Sequence, residues 1–390
     1  MRRRNLFGKE ALTINPNTWT IRGESQSQTF TLLLNGVRVT DENVTVSSSV
    51  SWITAIWTSG TTSNIKVTVT QNDSLYSRIG EVTAVYQGLT AKLFVTQNDC
   101  GQFDVDYILC SYSSGSSGIA YFKIGETSYS GSATITSKPD WVNAVFNSGT
   151  LTVTTTSALT GYTPRSGQID VFFSENQKHY TINVIQSQQS YNSVDGHSYV
   201  YMGNNLKWAT SNVGGNKYYQ WGDTQGYTSS QVGSEYGKKY FSWDDYKYAT
   251  VSHSPSYSIT MTKYNGSDGL TTLQFSDDAA RATMGGSWRM PTKAELNALV
   301  TNSNWGKCRS QGSILYIFVS KLNGNFLTFS HNGYATRGTI SYTRTVIDSS
   351  SLDTNSYEYA SSHYLNIVTG KVANTSNSRQ CGHNIRGVHA

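Results

Sequence analysis

Charge is scarce in this chain of 390 residues: only 14% are Asp, Glu, Lys or Arg, and the formal net charge is +5. So small an excess, with no basic run beyond Arg2-Arg3-Arg4, argues against nucleic acid as a partner. Cysteine is scarce as well. Cys100, Cys110, Cys308 and Cys381 do not make an obvious disulfide framework in a chain this long, and none has the C-x-x-C spacing of a zinc site. Cys100 and Cys110 would approach each other if the unit they flank opens with a hairpin; free thiols are the alternative, and the one expected in a reducing cytosol. No stretch is apolar for long enough to cross a bilayer, so no membrane insertion is expected. Asn5-Leu6-Phe7-Gly8-Lys9-Glu10, after the arginine triplet, lacks the apolar region of a signal peptide, and the chain is expected to stay in the cytosol that makes it. Catalytic signatures are missing too: there is no His-Glu-x-x-His, Walker loop, Gly-x-Ser-x-Gly elbow or nucleotide fingerprint, and the histidines do not cluster at ligand spacing. Glycoside hydrolysis needs only two facing carboxylates and leaves no such signature. The expectation is a protein that is not an enzyme and requires no metal and no cofactor.

What the chain has is a repeat. Trp52-Ile53, the alternating run Ile65 to Thr70, Arg78-Ile79-Gly80-Glu81-Val82 and Ala91 to Gln97 recur as Trp141-Val142, Leu151 to Thr154, Arg165-Ser166-Gly167-Gln168-Ile169 and Tyr180 to Gln186. Trp52 and Trp141 lie 89 positions apart, as do Gln97 and Gln186. A period that long means tandem domains, not a solenoid. Each run alternates with period two, so each is a half-buried antiparallel strand, and several of them in about 90 residues describe a two-sheet sandwich of immunoglobulin size. Trp52 and Trp141 are expected to fill the two cores, with carbohydrate stacking as the alternative. Tyr and Trp are abundant, at 26 and 9 residues. Either they serve interfaces, where rigid aromatics with a polar handle are useful, or they reflect the taste of β-sheets for tyrosine.

The ordered Trp-Ile/Val, Arg-x-Gly-x-Ile/Val and Val-Thr-Gln or Val-Ile-Gln elements resemble the BACON domain, an immunoglobulin-like module of gut Bacteroidetes and their phages. The resemblance covers roughly residues 12–188 and implies a spacer or a glycan-associated module, without catalysis. It divides the chain into a basic docking peptide (1–11), two β-sandwiches (12–99 and 100–189) and a C-terminal domain (190–390).

From Tyr191 the texture changes. Ser276-Asp277-Asp278 places an N-cap and acids ahead of Ala279 to Ala282, with Gly285-Gly286 as a stop. Thr292-Lys293-Ala294-Glu295 is a capping box that opens a helix over Leu296 to Val300. Two short helices among strands and loops predict an α+β domain, and so a mainly β chain overall. Four ordered motifs carry a second resemblance: Leu206-Lys207-Trp208-Ala209-Thr210, Tyr219-Gln220-Trp221-Gly222-Asp223-Thr224, Asp277-Asp278-Ala279-Ala280 and Gly285 to Leu296. Together they are similar to the Fibrobacter succinogenes major paralogous domain, which implies a fold related to the C-type lectins and formylglycine-generating enzymes, with loops free to make contacts. Trp208, Trp221 and Trp288 are then core aromatics, and Arg289 is expected to bridge backbone carbonyls or a carboxylate such as Asp277 or Asp278. Calcium, used by many C-type lectins, is not expected, because their Glu-Pro-Asn or Gln-Pro-Asp loop is missing. The pair Asp244-Asp245 has the chemistry for a hard cation; Asp277-Asp278 is better explained by helix capping. Cys308 and Cys381 are the only thiols for formylglycine-type copper chemistry, and nothing else supports them.

Contacts are expected from the late loops, where Tyr334, Arg337, Tyr342, Arg344, Tyr357, Tyr359, His363, Arg379, His383 and Asn384 interleave aromatic, basic and amide groups. Arg2, Arg3, Arg4, Leu6 and Phe7 are expected to dock the chain on an assembly. The combined expectation is a phage head or tail fibre, made in the host cytoplasm and self-associating, with a trimer as the guess. Its N-terminus would meet capsid or tail proteins, and its C-terminal domain a host-surface or mucosal glycan or protein. The alternative is a cell-surface or secreted glycan-binding protein of a Bacteroidetes bacterium.

Overall fold

The computed structural model of the chain describes residues 10–187, 192–203, 205–310, 312–366 and 371–390. The docking residues Arg2, Arg3, Arg4, Leu6 and Phe7 lie outside them.

The first unit is a sandwich of nine strands: β1 (Leu12–Asn15), β2 (Thr18–Ile21), β3 (Gln26–Leu34), β4 (Val37–Arg38), β5 (Thr45–Ser48), β6 (Ile53–Thr58), β7 (Asn64–Val69), β8 (Arg78–Tyr86) and β9 (Leu89–Gln97). One sheet runs β1-β3-β7-β6 with β4 beside β3, and the other runs β2-β9-β8-β5. The first strand is thus split: β1 pairs antiparallel with β3, whereas β2 crosses to pair parallel with β9. Alternation does the rest. Ile65, Val67 and Val69 of β7 face Val82 and Ala84 of β8 and Leu93 and Val95 of β9, all buried in one core with Trp19 and Phe30.

The second unit repeats the plan strand for strand with β10 (Gly101–Phe103), β11 (Tyr107–Ser111), β12 (Ser117–Ile124), β13 (Thr127–Ser128), β14 (Thr134–Ser137), β15 (Val142–Asn147), β16 (Thr150–Thr155), β17 (Arg165–Phe173) and β18 (Lys178–Ser187). Again the first strand splits, β10 pairing antiparallel with β12 and β11 parallel with β18. The fold is therefore two tandem immunoglobulin-like sandwiches, as the alternation predicts. The units are joined by packing: Leu75, from the β7–β8 loop of the first, is buried in the core of the second with Phe103 and Phe122, and Asn176 donates to its carbonyl at 3.0 Å.

The repeated motif residues do not do what the sequence predicts of them. Trp52 and Trp141 are only partly buried, at the margin of each core, and each lies under an arginine, Arg78 at 4.4 Å and Arg165 at 4.6 Å. That arginine donates to the last glutamine of its own unit, Arg78 Nε to Gln97 Oε1 at 2.9 Å and Arg165 Nε to Gln186 Oε1 at 2.7 Å. Each glutamine amide in turn donates to three main-chain carbonyls: Gly23, Glu24 and Thr70 in one unit, Tyr112, Ser113 and Ser157 in the other. The Trp, Arg and Gln positions form a polar clamp that ties loops together. Gly80 belongs to it by closeness, because a Cβ there would sit 2.6 Å from Ile53 and Val50 and 3.0 Å from Trp52.

The C-terminal unit contains β19 (Asn192–Val194), β20 (His197–Tyr201), β21 (Lys207–Asn212), β22 (Ala249–Ser252), β23 (Ser258–Met261), α1 (Ala279–Met284), β24 (Trp288–Arg289), α2 (Lys293–Thr301), β25 (Ser303–Ser310), β26 (Ser313–Ser320), β27 (Phe326–Ser330), β28 (Tyr334–Thr336), β29 (Thr339–Ser341), β30 (Thr345–Leu352), β31 (Tyr359–Asn366), β32 (Lys371–Ser378) and β33 (Arg386–His389). Its sheet β19-β20-β21-β33-β24 brings the last strand back beside an early one. Strands β25, β26 and β27 do not form a sheet of their own. They extend the second sandwich into one sheet of order β14-β17-β18-β11-β25-β26-β27, through parallel pairing of Tyr107 and Ile108 with Cys308 and Arg309.

Trp208, Trp221 and Trp288 are buried. The N-cap of α1 is Asp278, whose Oδ1 accepts from Ala280 and Arg281 while Oδ2 accepts from Met290. Thr292 and Glu295 form the capping box of α2. Arg289 does bond the Met290 carbonyl, but its carboxylate partner is Glu295, at 2.6 and 2.8 Å, not Asp277 or Asp278. The bidentate fork holds the capping glutamate in place.

Candidate binding surface

Four of the predicted contact residues come together on one hairpin. β28 and β29 are joined by Arg337-Gly338, both left-handed with φ of 45° and 71°, a two-residue turn of the type that matches strand twist. Its inner face is fixed by Ala335, buried with Phe241 and Tyr218, and by reciprocal main-chain bonds between Ala335 and Gly382 at 2.8 Å. Its tip is fixed by Arg337 N–H donating to the Phe241 carbonyl and Gly338 N–H to the Tyr240 carbonyl. The loop that receives it is organised by Asp245, whose carboxylate accepts from the amides of Phe241 and Ser242 and from Gln220 Nε2 at 2.8–2.9 Å, with Lys239 at 3.5 Å. Asp245 is thus spent on the loop, and Asp244 faces His253 at 2.8 Å. Among the described residues no group of three or more His, Cys, Asp or Glu is placed to hold a metal ion.

On this frame Arg337 is exposed at the turn, with Tyr342 exposed at the end of the hairpin and Tyr240 and Tyr236 exposed on the adjoining loop. Arg344 stacks 5.5 Å from the Tyr334 ring and donates to Asn377 Oδ1 at 3.1 Å. The result is three exposed tyrosines and an exposed guanidinium carried by a hairpin and an adjoining loop whose main chains are bonded to each other. Tyr236 and Tyr240 are absent from the sequence-predicted set. The signal for them was available in the Gly, Ser and Tyr texture of residues 226–240, the same one that marked the later loops.

The other predicted residues go elsewhere. Tyr357 packs its ring against Gly266 and gives its carbonyl to Arg379; Tyr359 lies on β31 opposite Ser378. The side chain of His363 lies outside the described residues. Arg379, His383 and Asn384 are buried and offer no surface to a ligand. Arg379 lies against Trp221, Tyr246 and Tyr264 and donates to the Tyr246 hydroxyl and to the carbonyls of Lys263, Tyr264 and Tyr357. His383 Nδ1 meets Asp348 Oδ2 at 2.9 Å beneath the Tyr334 ring, leaving His383 Nε2, Asp348 Oδ1 and Asn384 Oδ1 without partners. No single-sequence pattern separates a loop arginine that is swallowed by aromatics from one that faces water.

The thiols are not poised for chemistry. Burial pushes Cys100 and Cys110 up to about 11 and Cys308 up to about 12, and it also raises Cys381. All four are free. Cys308 sits in the core shared by β11 and β25, whereas Cys381 contacts Thr336. Asp277 is a shifted carboxylate: burial opposes its ionisation, but hydrogen bonds from Lys263, Tyr248 and Tyr264 and the nearby Lys247 ammonium hold it down at about 2. No helix among the described residues is long and apolar enough to cross a membrane.

No family model and no curated protein matches the chain. Solved structures similar to it include a Bacteroides ovatus xyloglucanase in complex with a heptasaccharide, 18% identical over 27% of this chain and 22% of that one, with a TM-score of 0.18. Others are the tandem immunoglobulin domains of titin, 6% identical over 46% and 98% with a TM-score of 0.20, and the cadherin-like domains of zebrafish RET, 13% identical over 46% and 51% with a TM-score of 0.20. The chain spans under a quarter of the xyloglucanase. Similarity at this level carries no argument about function, and the sandwich assignment rests on the strand pairing itself.

Proposed function

We propose that the chain is a non-enzymatic binding protein in which two sandwiches of BACON type act as a stalk for a C-type-lectin-like head of the Fibrobacter major paralogous type. The head contacts a glycan or protein of a host surface or mucosal layer, and the setting is a head or tail fibre of a Bacteroidetes phage. The observation that carries the reading is the clamped hairpin, with Arg337 exposed at its turn, Tyr240 and Tyr236 exposed on the loop that receives the turn, and Tyr342 exposed at its other end. Planar aromatics and a guanidinium suit sugar faces and peptide backbones alike. The continuous sheet from β14 to β27 supports the stalk, because a shared ladder carries load from the second sandwich into the head. The return of β33 beside β21 supports the lectin-like assignment. As a fibre, the chain would assemble with copies of itself, as a trimer, and dock on capsid or tail proteins through residues 1–11.

The test is a glycan array with the full chain, alongside Arg337→Ala and Tyr342→Ala. Binding that falls about tenfold or more in both variants is expected, as for central anchors. Binding that persists in both moves the contact surface off the hairpin. A clean monomer by multi-angle light scattering ends the self-assembling fibre.

A further inference from the structure

We propose that the ligand of the clamped hairpin is an acidic glycan, one whose sugar rings carry carboxylate or sulfate groups. This rests on the reading of the head as a binding unit and narrows what it binds. The head and the rest of the chain differ in charge. Residues 1–189 hold 13 Lys and Arg against 13 Asp and Glu, whereas residues 190–390 hold 17 against 12, so the whole excess of +5 belongs to the head.

Around the hairpin the acids are used within the fold. Asp245 accepts from the amides of Phe241 and Ser242 and pairs with Lys239. Asp223 accepts the Gln225 amide at 3.1 Å, and Asp244 is turned to His253, next to β22. Asp348 is buried with His383 beneath the Tyr334 ring. The basic groups are not used in the same way. Arg337 is exposed at the turn and forms no ion pair with a described carboxylate. Lys238 is exposed beside it. Its stem lies against Gly233, where a Cβ would stand 3.1 Å from Lys238 Cγ, and a Cβ on Gly338 would in turn stand 2.9 Å from Gly233. Lys238 Nζ donates to the Ser230 carbonyl, a neutral partner that leaves its charge uncompensated. Arg344, stacked on the Tyr334 ring and bonded to the Asn377 amide oxygen, adds a third positive charge. Against these three, Glu235 is the acid exposed on the receiving loop, and it pairs with neither Arg337 nor Lys238. The surface is therefore net positive where the hairpin meets that loop.

The tyrosines point to a sugar as the carrier of the negative charge. Tyr236 is fully exposed, and Tyr342 and Tyr240 are 57% and 43% exposed, so each offers a flat face and a hydroxyl to a ring laid against it. Peptide anchors need enclosing pockets instead. A guanidinium adds a planar fork that matches an oxyanion with two bonds.

The probe is a glycan array in which each uronate, sulfated or sialylated member stands beside a neutral twin with the acid group reduced or removed, read with the full chain. Acidic members should bind about tenfold or more above their twins, the size of one charge-assisted contact. That preference should shrink when salt is raised from about 0.1 M to about 1 M, as screening shortens from about 10 Å to about 3 Å. Arg337→Asn removes one charge with a residue that tolerates the left-handed backbone there, and Lys238→Gln removes another off the turn. Each should narrow the gap between acidic member and twin several-fold, whereas Tyr342→Ala should lower both and keep the gap. Equal binding of the twins, lowered in both by Tyr342→Ala, overturns the acidic ligand and leaves the hairpin as the site. No binding by any member, or binding that every variant retains, overturns the hairpin reading as well. A poly-glutamate peptide bound as tightly as the best acidic member overturns the choice of a sugar.

Discussion

The two sandwiches have the same nine strands in the same order, the same split first strand and the same Trp, Arg and Gln clamp, yet their neighbours differ. The first meets the second through a side chain, Leu75, inserted into a core. The second meets the C-terminal unit through a sheet, β11 bonded to β25. A plug of side chains and a shared ladder are different couplings. The plug depends on shape, and the bonds beside it are made by side chains, Asn176 to the Leu75 carbonyl and Lys178 and Tyr180 to Asp99. The ladder depends on register, and parting it would strand main-chain donors and acceptors in a region covered by Tyr107, Ile185, Ile317 and Phe326. The second junction is therefore expected to be the stiffer of the two.

The largest effect should come from the feature the sandwiches share. Gln97→Leu and Gln186→Leu each remove four hydrogen bonds, three to carbonyls and one from a guanidinium, at a cost of about 4 kcal/mol in either unit at about 1 kcal/mol a bond. Urea midpoints of the separate transitions measure it. A cost in one unit much larger than in the other would break the equivalence of the two clamps. Next is the plug. Leu75→Ala should cost about 3 kcal/mol, and the loss should appear in the transition of the second sandwich, although the substitution lies in the first. A lowered first transition would mean that Leu75 serves its own unit.

The repeat was legible in the sequence because strand alternation is a local signal, and both copies carry it: Ile65, Val67 and Val69 announce their face as plainly as Leu151 and Val153. The capping of α1 by Asp278 and of α2 by Thr292 and Glu295 was legible for the same reason. The clamps were not. Arg78 and Gln97 stand 19 residues apart and meet only because β8 and β9 pair in one register, so Trp52 read as a core residue when its ring supports a cation. The candidate surface was half legible. Composition pointed to Tyr334, Arg337, Tyr342 and Arg344, which the fold gathers on and beside one hairpin, but it pointed equally to Arg379 and His383, which the fold buries, because composition marks loops without saying which way a loop faces.

Acid should separate the C-terminal unit from the sandwiches. Asp277 is held at about 2, below its ordinary 3.8, so its stabilising contribution is complete above roughly pH 4 and is lost as pH falls through 2. The shift corresponds to about 2 kcal/mol. Tryptophan fluorescence during acid titration should therefore show an early transition in that range, and Asp277→Asn should remove its pH dependence while lowering stability at neutral pH. A titration unchanged by that variant would place the acid sensitivity elsewhere.

The smallest effect tests the ladder itself. Gly306 lies where the new strand meets Asp106, and the methyl of Gly306→Ala would stand 2.8 Å from both Cβ and Oδ2 of that residue. Asp106 sits at a strand end and can shift by a few tenths of an ångström, so the cost should be only about 1–2 kcal/mol. Its character matters more than its size. Shifting Asp106 loosens its two bonds to Lys307, and with them the coupling between the second sandwich and the C-terminal unit, so calorimetry that shows a single joint transition in the parent should resolve two in the variant. The same change cannot touch the first sandwich, whose β2 has no such neighbour among the described residues. If the joint transition simply moves down without splitting, the β11–β25 pairing is not what couples the two units, and the buried cluster around Cys308 and Ile317 does that on its own.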